Sequence, residues 1–166
     1  MKTYLLVILL QLWTTTLLCC DCKEPGTVKQ SIESSNIVVS GTVISITLTA
    51  DLNNYTVIQG DTSDYKYKRL KYPSKVVKLK VTTLFKGQIT SDTLTIITPS
   101  SGAGCGANFE LGKQYIIYGT NEDHINYSTN FKCKAKDNNV YWTHLCTRTT
   151  SWSKDEETDI LSFTKK

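Results

Sequence analysis

Histidine is scarce in this chain: His124 and His144 are the only two in 166 residues. Neither has a Ser, Cys or carboxylate partner in a recognisable catalytic arrangement, and a scattered histidine in a β protein is more often structural. The sequence therefore reads as a non-enzyme. Long apolar runs are missing too: the uninterrupted stretch Tyr4–Leu10 is much shorter than the roughly 20 residues a spanning helix needs. No internal repeat and no low-complexity segment breaks the chain. The glycines of the connector Ser100–Gly106 are not followed by a Lys-Ser/Thr pair or a helix pattern, which excludes a phosphate cradle. Paired metal ligands are lacking as well, since Cys105, Cys133 and Cys146 each stand alone, so neither a zinc site nor a cofactor is expected. The basic residues of Lys66–Lys80 are interleaved with Tyr and Val, as on a solvated strand face. Nucleic acid is not an expected partner.

What is present begins with a leader. Lys2 is followed by the apolar stretch, then by Gln11 and Thr14–Thr16, and residues 1–19 read as a secretory signal peptide. Its removal leaves one domain, 20–166, with no transmembrane segment and a charge of +3 from 18 basic and 15 acidic residues. Secretion places the six cysteines, Cys19, Cys20, Cys22, Cys105, Cys133 and Cys146, in an oxidising compartment where they form bridges. Loss of Cys19 leaves an odd number. The extra thiol is assigned to Cys133, which is free, joined to a retained Cys19, or joined to another chain. Leu17-Leu18-Cys19-Cys20 also loosely resembles a bacterial lipoprotein processing site, so a lipid-anchored form is the alternative localisation. Asn54-Tyr55-Thr56 and Asn126-Tyr127-Ser128 are glycosylation sequons for a eukaryotic pathway.

Cys20-Asp21-Cys22 marks the start of the expected mature chain. Successive side chains of an extended backbone alternate, so its two cysteines can staple different parts of the fold. A short helix is expected over Thr27–Glu33, with Thr27 capping, Gln30 three residues on and Ser34-Ser35-Asn36 ending it. Ile37–Thr49 alternates and is rich in β-branched residues, giving a long strand with a bulge or bend at Gly41. Ala50–Ser74 reads as an extended loop or protruding hairpin. Further strands are expected at Lys75–Phe85, at Asp92–Thr98 with Pro99 as a stop, and at Gln114–Gly119. Two more β segments, Ile125–Phe131 and Val140–Leu145, precede a C-terminal helix with an acidic first turn running to Phe163. The pattern predicts a mostly β fold, a five- or six-stranded barrel with short helices near both termini.

Four segments in this order resemble the netrin-like family, most closely the N-terminal inhibitory domain of the tissue inhibitors of metalloproteinases. They are Cys20-Asp21-Cys22, the Ile37–Val43 strand, the block from Gly104-Cys105-Gly106 through Phe109 and Gly112-Lys113 to Tyr115–Tyr118, and Thr143–Thr149. The resemblance implies an OB-like closed barrel with disulfides Cys20–Cys105 and Cys22–Cys146. It further implies a secreted inhibitor whose partner is a zinc metalloendopeptidase. In such an inhibitor Cys20 chelates the protease zinc through its α-amine and carbonyl, and Asp21 points into the specificity pocket. Cys22, Lys23 and Glu24, with Ser101, Gly102, Ala103, Gly104 and Cys105, form the contact ridge. The alternative is a secreted netrin-like binding module without inhibitory activity, for which the charge of Asp21 and the small side chains of the connector speak.

Overall fold

The computed structural model describes residues 25–49, 55–59, 74–100, 105–122, 132–135 and 137–164. In chain order the elements are α1 (Val28–Ser34), β1 (Ile37–Thr49), β2 (Tyr55–Gln59), β3 (Ser74–Lys86), β4 (Thr93–Pro99), β5 (Gln114–Gly119), β6 (Lys132–Ala135), β7 (Val140–Trp142), β8 (Thr150–Ser151) and α2 (Lys154–Thr164).

Helix α1 starts where its cap predicts. The Gln30 amide donates to Thr27 Oγ1 at 3.3 Å and the Thr27 amide donates to Gln30 Oε1 at 2.9 Å, so two amides left open at the helix start are satisfied together. Helix α2 begins with a single side-chain cap, the Glu156 amide donating to Ser153 Oγ at 3.2 Å. Strands β1 and β5 have the bounds the β-branched runs predict. Pro99, expected to stop β4, is instead its last residue and sits opposite Ser74. A strand end tolerates proline because the ladder needs no further N–H there.

Six strands form one sheet in the order β7-β4-β3-β1-β5-β8, antiparallel throughout except for the parallel pair β4/β7. β1 lies at its centre and pairs with β3 along its length and with β5 from Ile37 to Thr42. The bend expected at Gly41 coincides with one of three register shifts against β3, between Ser40 and Gly41. A Cβ at Gly41 would lie 2.5 Å from the Lys80 carbonyl oxygen, so only glycine allows the two strands this approach.

Alternation along the strands divides the apolar residues between two layers. Ile37, Val39 and Val43 of β1 face one core with Val77 and Leu79 of β3, Leu94 and Ile96 of β4, Tyr115 and Ile117 of β5, and Tyr141 of β7. The opposite face of the sheet presents Val38, Ile116 and Tyr118, which are covered by Val28 of α1 and Ile160 of α2. Each fully buried aliphatic side chain stabilises by about 1.5–3 kcal/mol relative to exposure.

The expected closed barrel is met in part. Five strands contribute to one inner core, but the sheet's edges are not joined by a ladder. A single bridge, Thr120 with Trp142, links the end of β5 to β7 through amide-to-carbonyl bonds of 3.0 and 2.8 Å. β7 is only three residues long, and among the described residues no second bridge from β5 to it is seen.

The segment read as a loop or hairpin before β3 needs a correction as well. Tyr55–Gln59 is a strand, and it pairs antiparallel with Lys132–Ala135 in a separate two-stranded ribbon. Cys133 occupies the register position opposite Val57. The rest of that segment, the strand expected at Ile125–Phe131, the leader and both sequon asparagines lie outside the described residues. Among the described residues no helix is long and apolar enough to cross a membrane.

Candidate functional site

Two loops leave the end of β4 and β7 and bring Cys105 and Cys146 together. Cys105 has a φ of 62°, a left-handed conformation that costs a non-glycine residue about 1–2 kcal/mol. Its carbonyl accepts the Leu145 amide at 2.7 Å, which ties it to the residue preceding Cys146. Just beyond, the Ala107 amide donates to the buried Thr98 Oγ1 at 2.8 Å, fixing this loop to β4. Both Cys105 and Cys146 are disulfide-bonded.

The second loop, 143–149, is held by its threonines. The Thr143 amide donates to the Ile97 carbonyl at 3.0 Å, and Thr143 Oγ1 lies 2.7 Å from Thr147 Oγ1 and 2.6 Å from Thr149 Oγ1. Thr149 Oγ1 accepts the Tyr118 amide at 3.0 Å, attaching the far end of the loop to β5. His144 joins this loop: its Nδ1 accepts the Cys146 amide at 3.1 Å. Leu145 is left half exposed beside Cys105.

Arg148, two residues after Cys146, reaches both ends of the described chain. Its Nε and Nη2 donate to Glu156 Oε1 and Oε2 at 2.6 and 2.7 Å, while Nη1 donates to the Gly26 carbonyl at 3.2 Å. The Tyr118 hydroxyl donates to Glu156 Oε1 at 2.6 Å. Burial works to raise the pKa of Glu156, but the Arg148 and Tyr118 hydrogen bonds together outweigh it, and the carboxyl is held below its ordinary value. Burial, then the bond to the Glu156 carboxylate, pushes the Tyr118 hydroxyl well up. The segment leading into α1 is thus pinned beside the Cys146 loop.

Of the residues expected at the site, the structure brings Cys105 and Cys146 together. Cys20, Asp21, Cys22, Lys23 and Glu24, with Ser101, Gly102, Ala103 and Gly104, lie outside the described residues. Sequence reasoning missed the network of Tyr118, Arg148 and Glu156. Its only signal was the placement of Arg148 in the Thr143–Thr149 segment and of Glu156 in an acidic first turn. An open polar concavity of about 660 Å³ lies elsewhere, lined by Thr42, Glu110, Lys113, Gln114 and Trp152 among others, and includes neither half-cystine. Compared with models of known protein families and with curated proteins, the chain matches none.

Proposed function

We propose that the chain is a secreted netrin-like domain that inhibits a zinc metalloendopeptidase through its mature N-terminus at Cys20. The observation that carries this reading is the convergence of three segments: the Cys105 loop, the Cys146 loop and the Gly26 segment. Cys20 and Cys22 can have α-carbons no more than about 7 Å apart, and each disulfide spans about 4.4–6.8 Å between α-carbons. Two bridges from so short a triplet need acceptor cysteines on neighbouring loops, and the bond from the Leu145 amide to the Cys105 carbonyl supplies that neighbourhood. The reading of the fold as OB-like is supported by the shared core of five strands, the parallel pair β4/β7 and the single bridge between β5 and β7, which suit a partly open five-stranded barrel.

In this reading a free α-amine on Cys20, with a reference pKa of about 7.7–8.0, loses its proton at modest cost near neutrality. Together with its carbonyl it takes the position that a catalytic zinc keeps for water. Disulfides hold the terminus in place before binding and reduce the ordering cost. Half-exposed Leu145 beside Cys105 adds an apolar contact. A binding module without inhibition is the second reading, favoured by the charge of Asp21, which an apolar pocket penalises.

N-terminal sequencing, intact mass and a disulfide map of secreted protein, followed by a zinc-protease panel, test the proposal. A free amine on Cys20, bridges to Cys105 and Cys146, and inhibition abolished by one added N-terminal Ala are expected. Retained Cys19, an acylated Cys20, or inhibition that survives the added Ala would sink it.

A further inference from the structure

We infer that Arg148 is a positioning residue that fixes the N-terminal segment at Gly26, and that the C-terminal helix sets its aim. In its relevance to inhibition the inference rests on the function proposed above. A guanidinium is planar and presents its donors in a fixed fork, so pairing Nε and Nη2 with both oxygens of one carboxylate settles the direction of Nη1. Here that pairing is with Glu156, and the remaining nitrogen meets the Gly26 carbonyl. Glu156 is itself nearly buried and oriented by the Tyr118 hydroxyl, so the fork has little room to swing. Ser31 Oγ donates to the same Gly26 carbonyl at 3.3 Å, so this one oxygen joins α1 to the Cys146 loop, and Arg148 carries the link on to α2. A restraint two residues after Cys146 thus holds the chain four residues after Cys22.

Arg148→Lys tests this, because an ammonium keeps the charge beside Glu156 but cannot supply the fork. Leu94→Ala serves as a stability control: it opens the core on the other side of the sheet and leaves α2 and every member of the network in place. Amide hydrogen exchange of peptides ending before Val28 is measured on the free protein, alongside thermal stability and inhibition. Arg148→Lys is expected to speed that exchange and weaken inhibition by about tenfold each, the loss of one charge-assisted hydrogen bond. Leu94→Ala is expected to lower stability more while leaving both readouts at wild-type values. Unchanged exchange in Arg148→Lys, or equal acceleration in both variants, would overturn the inference. The exchange arm judges the clamp even if the wild-type protein inhibits no protease, a result that would remove only the inhibitor reading.

Discussion

Glu156 titrates against its own burial. Hydrogen bonds from Arg148 and Tyr118 keep its folded-state pKa below the ordinary 4.5, so its contribution to stability is complete above that value and is lost as pH falls through the lower folded value. Thermal unfolding at pH 6 and at pH 3 should therefore show a smaller drop in Glu156→Gln than in the wild type. Equal drops would mean that the carboxylate does not drive acid sensitivity. Among residues, Cys105 and Cys146 were legible as half-cystines because cysteine has few other uses in a chain expected to be secreted. The Arg148 network was not, since an acidic residue in a first helical turn is already accounted for by the helix dipole. Only the fold brings Gly26, Tyr118, Arg148 and Glu156, from four separate stretches, to one place.

The elements that the sequence revealed are those specified locally. Thr27 with Gln30 starts α1, and a thirteen-residue stretch rich in β-branched residues builds β1 to its expected bounds. The ribbon of β2 and β6 escaped notice because Tyr55–Gln59 finds its partner beyond Phe131, and no local signal announces so distant a pairing. That the expected barrel is not closed was illegible for a related reason: β7 stops after three residues, and strand length at a sheet edge is set by what packs over it. Where β1 presses on β3, Gly41→Ala should cost about 1–3 kcal/mol, because the obstructing Lys80 carbonyl belongs to a backbone that must shift. Chemical denaturation would show this as a lower midpoint. An unchanged midpoint would mean that the bulge at Ser40/Gly41 absorbs a methyl group.

For the molecule as a whole, disulfide-bonded Cys105 and Cys146 lie on neighbouring loops at one end of the sheet. Replacing Cys146 with Ser should destabilise by about 2–5 kcal/mol, again read from the denaturation midpoint. A wild-type midpoint would show that the threonine contacts hold the 143–149 loop unaided. Gly26 and Arg148 lie 122 positions apart, and Val28 shares its cluster with Ile160. A ribosome emitting the chain from its N-terminus delivers β1, β3 and β4 early, each able to pair with its neighbour. The outer face of the sheet, with Val38 and Tyr118, has only the α1 half of its cover until residues 148–160 emerge. The end made first is therefore the end finished last: residues at the start of the fold reach their final geometry only when translation has nearly ended.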